Sequence, residues 1–435
     1  MILDTATATL ILIGAFVVLI LIRIPVAFAL GLATVPVVLL ELRLTPFIVL
    51  DRMFQSYNSF ILLAVPFFLL AANLMNSGKV TDRLIELARV LTGWMPGGLG
   101  HVNVAVSMLF AGISGSSTAD AAGIGKILIP AMQKEGYDTR FAVAITACSS
   151  VMGVIIPPSI LMIVWGGVMQ VSVGALFLGG AVPGLMIGLT LMGTVYCFAK
   201  VRNYPVTATP SLGAFWAAWK GAALALLTPI FVIGGIVGGI VTPTESAIIA
   251  AAYALVLGMF VYRTVTVRTL GFILYDTARF AAISLFAIGT ASAFGWLLSF
   301  YNAPRLIVSV LTAWEFGPFG TAMVIAALFL VFGLFIDAIP TIIILGTVLM
   351  PVAQAGGVDP IAFAIIGIVS LAFGLVTPPY GLCLLISAAI GGLNVVQVLR
   401  EVVIILAPML FILVMLAAFP AIILWLPKAL MPGAF

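Results

Sequence analysis

Long apolar runs, broken at intervals by Gly, Pro and short polar turns, fill almost the whole chain. Runs of about 17–25 residues are long enough to cross a bilayer as helices. They predict spans near residues 6–22, 24–40, 59–77, 180–199, 221–240, 244–262, 281–300 and 402–426. Two longer runs, 141–170 and 360–390, hold a Gly and a Pro pair at mid-length and read as broken helices. Two more, 98–133 and 317–351, carry Gly, Ser, Asp or Pro at mid-length. These read as re-entrant hairpins that enter and leave on one side. Irregular backbone at that depth is tolerated only where protein buries it or water lines it. An amphipathic connector precedes each hairpin, at 79–92 and 303–314, and reads as an interfacial arm.

Residues 110–159 and 331–380 repeat one unit at a constant offset of 221. Gly112 pairs with Gly333, Pro130 with Pro351, and Gly136 with Gly357. Asp138 pairs with Asp359, Gly153 with Gly374, and Pro157-Pro158 with Pro378-Pro379. These identities fall on helix-breaking or turn residues. Paired, interrupted helices in two halves point to the binding site of a secondary transporter. Loop charges set the orientation. Lys79, Arg83, Arg89, Lys134, Arg140, Lys200, Arg202, Arg263 and Arg268 can all lie inside, because an even number of crossings separates them. The first hairpin then opens to the cytoplasm and the second to the outside. The exit turn of the second, 355–359, holds no Lys or Arg. The repeats are therefore expected to be inverted, with both termini outside.

Composition narrows the class. The chain is 64% hydrophobic and 7% charged, with a mean hydropathy of +1.33; a soluble domain is nearer about 25% charged. No polar stretch is long enough to fold alone, and nothing suggests nucleic-acid binding. The first apolar segment lacks a cleavage pattern and reads as a retained helix. Cys148, Cys197 and Cys383 sit in apolar segments without metal spacing and read as small core residues. The single histidine, His101, reads as interfacial, and zinc or haem sites have no ligand cluster. The expected organisation is scaffold helices and a first arm over 1–97, then a first core repeat over 98–199. Scaffold helices and a second arm follow over 200–316, and a second core repeat over 317–426.

The candidate chemistry lies at the breaks. The first hairpin tip runs from Gly112 through Gly115, Ser116, Ser117 and Thr118 to Asp120. Glycines let backbone turn and approach a ligand closely. Hydroxyls and freed carbonyls are hard oxygen ligands, and the half-helix starting near Thr118 aims its amides at the tip, where an anion is favoured. The same small residues also suit close helix packing. In Gly153–Ser159 and Gly374–Tyr380 a Pro pair removes two N–H donors and frees carbonyls. Those carbonyls suit Na⁺ in an all-oxygen cage, or are satisfied by neighbouring helices. Asp337 matches Ser116 across the repeat. An intramembrane carboxylate is a functional hypothesis by default; this one can assist a cation, accept a proton or cap the following half-helix. Asp120, in a first turn, has the same alternatives. Lys126 pairs with a carboxylate or meets an anionic substrate. Glu245, in Thr242-Pro243-Thr244-Glu245, reads as a first-turn helix residue.

The strings Gly112–Asp120, Gly153–Pro158, Pro243–Ala247 and Gly374–Gly381 resemble the large membrane subunit of tripartite ATP-independent periplasmic (TRAP) transporters. The resemblance covers essentially the whole chain. It implies an elevator-type ion transporter fold in the bacterial inner membrane: an all-α polytopic protein of inverted repeats, with two re-entrant hairpins and two broken helices. It implies sodium-coupled import of an organic acid, a carboxylate or sialic acid, with Na⁺ as coupling ion and no organic cofactor. Its implied partners are a periplasmic solute-binding protein and a separate four-helix membrane subunit. One sodium site would use Gly112, Gly115, Ser116, Gly153, Ile156 and Ser159. The other would use Gly333, Ile336, Gly374, Thr377 and Tyr380. Substrate would lie near Ser117, Thr118, Asp120 and Asp337. The rival readings are a free-standing sodium/anion symporter or antiporter, a proton-coupled transporter and a passive channel. An intramembrane enzyme has no nucleophile–base pair to support it.

Overall fold

The computed structural model describes residues 3–207, 211–303 and 316–434. Its first section holds α1 (Thr5–Leu21), α2 (Val26–Leu40), α3 (Phe47–Tyr57), α4 (Ala64–Ser77) and α5 (Val80–Thr92). The first repeat is α6 (Gly98–Ser114), α7 (Ser117–Lys134), α8 (Thr139–Ser150) and α9 (Ile160–Met169), and α10 (Val173–Arg202) leads out of it. Then come α11 (Leu212–Val237), α12 (Pro243–Val256) and α13 (Val267–Phe300). The second repeat is α14 (Pro318–Gly333), α15 (Ala338–Ala355), α16 (Pro360–Gly374) and α17 (Leu382–Gly391). Two helices close the chain, α18 (Val395–Ala418) and α19 (Ala421–Leu430). Among the described residues there is no strand. Seven helical segments there are long and apolar enough to cross a membrane.

The repeated turn and break residues have local causes. Asp138 and Asp359 cap α8 and α16, accepting from the backbone N–H groups of Arg140 and of Ile361 and Ala362. Gly136 and Gly357 take the left-handed conformation in the turns before those caps, with φ of 84° and 73°. Gly112, Gly153, Gly333 and Gly374 lie where a hairpin tip meets a broken helix. The Pro pairs sit in the breaks after α8 and α16. Packing is reciprocal between halves: α9 lies on α15 of the second repeat, and α17 lies on α7 and α8 of the first. Each broken helix therefore crosses into the other half, and neither half can bury its apolar faces alone.

The structure departs from the sequence reading in several places. α3 was not among the expected spans; its eleven residues are too few to cross, and Asp51 and Arg52 interrupt the apolar run. It is amphipathic, with Phe47, Leu50 and Phe54 exposed and Ile48 and Val49 packed on the core. The expected spans at 180–199, 221–240 and 281–300 begin well upstream, at Val173, Leu212 and Val267. At 34 residues, α13 is about 50 Å long. The expected span 402–426 is two helices, parted at Phe419-Pro420, since proline has no N–H to continue the first. The first arm is α5, whereas the second, 303–314, lies outside the described residues except Ala303. Cys197 is exposed, not core. His101 is fully buried in the first turn of α6.

A polar clamp ties the ends of α2 and α13 to the start of the chain. The Glu41 carboxylate accepts from Leu3 N at 3.1 Å, Tyr301 Oη at 3.0 Å and Arg43 Nη2 at 2.7 Å. The Arg43 guanidinium holds the Glu41 carboxyl well below the usual carboxylate range. Because folding lowers this carboxyl, its contribution is complete above the ordinary carboxylate range and fades as pH falls toward the folded-state value. Glu41→Gln is therefore expected to lower the melting temperature near neutral pH. That deficit should shrink steadily as pH drops from about 6 to about 3. A deficit independent of pH would count against the clamp.

Candidate functional site

The two hairpin tips and the two helix breaks meet around one cavity of about 300 Å³. Four half-helices begin at its wall. Ser116, Ser117 and Thr118 start α7, and Ile160 and Leu161 start α9. Asp337, Ala338 and Ile339 start α15, and Tyr380 and Leu382 flank the start of α17. Each N-terminus carries roughly half a positive charge and unpaired amides. Among the described residues no Lys or Arg lines the cavity, and Asp337 is the one acidic residue there. The opposite wall is Leu69 of α4 with Phe280, Ile283 and Ser284 of α13. These wall residues carry no motif, so nothing in the sequence pattern marked them.

The breaks are held by substitutes for the lost helical bonds. In a continuous helix Val154 C=O would accept from residue 158, which is proline. It accepts instead from Ser159 Oγ at 2.6 Å. Ser159 Oγ also accepts from Met162 N to cap α9, so that hydroxyl is committed to the break. Ile160 N donates to Gly115 C=O at 3.2 Å and fastens the break to the first tip. In the second half Cys383 N donates to Leu375 C=O at 2.9 Å, and Tyr380 N to Leu334 C=O at 2.8 Å. Both Pro–Pro peptide bonds are cis.

Residues 13–422 match the family "Tripartite ATP-independent periplasmic transporter, DctM component". The chain belongs to that family. It is 37% identical over 378 residues to the sialic acid TRAP transporter large permease SiaM of Vibrio cholerae, covering 87% of this chain and 88% of that one. It is 35% identical over 377 residues to the C4-dicarboxylate TRAP transporter large permease DctM of Pseudomonas aeruginosa, covering 87% and 88%. It is also 37% identical over 382 residues to the sialic acid TRAP transporter permease SiaT of Haemophilus influenzae, and spans 62% of that protein's length. Its fold is similar to the YdaH transporter of Alcanivorax borkumensis, with a TM-score of 0.60 at 15% identity over 86% of this chain and 87% of that one. Family and spans together make it a multi-pass inner-membrane protein, and these relatives are named as transporter permeases, not enzymes.

In this DctM-family permease the residues expected at the site divide. Gly115, Ser116, Ser117, Thr118, Asp337 and Tyr380 line the cavity. Gly112, Gly153, Ile156, Ser159, Gly333, Ile336, Gly374 and Thr377 lie behind it, at the two junctions of tip and break. A methyl group on Gly374 would meet the Gly333 carbonyl carbon at 2.7 Å, and one on Gly112 lies 3.9 Å from Pro157 O. Thr377 Oγ1 donates to Phe373 C=O at 2.8 Å. Ile156 packs its side chain against Gly184. Asp337 occupies the cap position of α15, yet its carboxylate makes no cap bond. Two of the residues singled out in the sequence lie apart from the cavity. Asp120 is fully buried and does not line the cavity, because the first turn of α7 points it at the break. Lys126 is exposed and forms no ion pair among the described residues. Glu245 closes a capping box with Thr242, as a first-turn residue does.

Proposed function

We propose that this protein is the large permease of a sodium-coupled, three-component importer of an organic acid, either a carboxylate or a sialic-acid-like molecule. The observation that carries this reading is the convergence of four half-helix N-termini on one cavity that no described Lys or Arg lines. Helix N-termini favour an anion, and Ser116 and Thr118, with hydroxyls 3.1 Å apart, offer it hydrogen bonds. An anion beside Asp337 needs compensating positive charge, which the described side chains around the cavity do not supply. Sodium ions would supply it if held by carbonyls and hydroxyls of Gly112, Gly115, Ser116, Gly153, Ile156 and Ser159, and of Gly333, Ile336, Gly374, Thr377 and Tyr380. Hard oxygen donors fit such an ion.

The hairpins and broken helices would move together, as an elevator, against α4 and α13. The wall those helices present has one polar residue, Ser284, so sliding past it breaks few hydrogen bonds. Coupling follows if ion and substrate favour the same ordered tips. The names of the relatives support a small membrane subunit and a periplasmic binding protein as partners, and the isethionate permease of Oleidesulfovibrio alaskensis carries the name DctMQ. The test is radiolabelled uptake into proteoliposomes holding this chain with its small subunit. Uptake is expected to need both an inward Na⁺ gradient and the binding protein. Uptake indifferent to Na⁺ but driven by a proton gradient would overturn the sodium coupling. Uptake needing Na⁺ alone would make the protein a free-standing symporter.

A further inference from the structure

The repeat that makes the two junctions alike also shows where they differ. The mate of Ser116 is Asp337, and the mate of Asp120 is Thr341. The first half therefore keeps its carboxylate one turn inside α7, and the second keeps it at the tip, in the cavity. Asp120 is fully buried. Its Oδ1 accepts from Ser114 Oγ, and Ser114 Oγ in turn accepts from Ser116 N at 3.3 Å. Its Oδ2 has no hydrogen-bond partner. That oxygen faces the break: a methyl group on Gly153 would overlap it, and would also meet the Ser116 backbone at 3.0 Å.

An unpartnered carboxylate oxygen is therefore enclosed between the first tip and the first break. Buried carboxylates are paired or coordinate a metal, because an isolated buried charge is too costly. Among the described residues no ion pair reaches Asp120. At the second junction Gly374 and Gly333 close on each other with no carboxylate between them, and the Thr341 hydroxyl is satisfied by Asp337 C=O at 2.8 Å.

We propose that Asp120 is the anionic ligand of the first cation site, not a substrate contact, and that this makes the two sites unequal. The first takes a monovalent cation before substrate arrives. This inference rests on the sodium-coupled reading above and deepens it.

The test reads binding without transport. Purified protein, free of substrate, is melted while Na⁺ replaces choline at constant ionic strength. The native protein is expected to melt higher as Na⁺ rises. Asp120→Asn should lose that shift or move its midpoint at least about tenfold higher in Na⁺. Thr341→Val, at the repeat mate, should keep the native midpoint. Ser114→Ala removes the one donor to Asp120, so its melting temperature without Na⁺ should fall and its Na⁺ shift should grow. Asp120→Asn with the native midpoint overturns the proposal. If that variant does not fold, a Ser114→Ala shift no larger than native overturns it instead. Sodium-driven uptake without any Na⁺ shift in the native protein also overturns this inference alone. Loss of both overturns the sodium reading beneath it.

Discussion

Gly374→Ala is expected to reduce uptake in proteoliposomes by about a hundredfold or more, chiefly because the second junction no longer closes. The added methyl would lie 2.7 Å from both the carbonyl carbon and the oxygen of Gly333, and 2.9 Å from its Cα. These are backbone atoms of a packed helix end, so no rotamer change relieves the contact. Overpacking of this kind costs about 1–3 kcal/mol when neighbours can shift, and here the neighbour is α14 itself. The melting temperature should fall together with uptake. At the matching Gly153 the nearest obstacle is the Asp120 carboxylate, a side chain that can move, and the backbone contact, with Ser116 at 3.0 Å, is looser than at Gly374. Gly153→Ala should therefore spare the fold more than Gly374→Ala does. Native melting and native uptake in Gly374→Ala would remove the close approach of tip and break as a functional requirement.

Asp337→Asn should separate stability from transport. The Asp337 carboxylate makes no cap bond to α15, and the bonds at this turn come from its backbone carbonyl, which accepts from Thr341 N and Oγ1. Neutralising the side chain should leave the melting temperature nearly native, within about 0.5 kcal/mol of stability. Under the proposed coupling, uptake should fall at least about tenfold, because Asp337, the one acidic group among the described cavity residues, would be part of the charge balance between ion and substrate. Melting and uptake are measured on one preparation. A variant that loses stability but transports normally once folded would return Asp337 to a structural role.

Much of the local architecture was legible along the chain because the residues that break helices do so with their own backbone chemistry. Gly136 and Gly357 adopt a left-handed turn, Asp138 and Asp359 cap the next helix, and the Pro pairs remove donors. These effects act within a few residues and recur at one offset. The ends of α10, α11 and α13 were less legible, since an apolar helix continues without a break signal where polar or aromatic residues also accept it. α3 was hidden for the opposite reason. Its apolar stripe is too short for a span, and only its place on the core shows what the stripe does.

Composition and the spacing of breakers by themselves determined that this chain is a membrane protein of two repeated halves, each with a hairpin and a broken helix. Hydrophobic run length and the missing N–H of proline are properties of local sequence, and no distant contact can reverse them. Which oxygen faces which space was decided only by the tertiary structure. Asp120 and Asp337 look equivalent in a list of intramembrane carboxylates, yet one is enclosed behind the first tip and the other lines the cavity. The opposite wall of that cavity, from Leu69, Phe280, Ile283 and Ser284, came from helices distant in sequence that had no motif to announce them. A helix face acquires a role from what packs against it, and the repeat pattern holds no record of that partner.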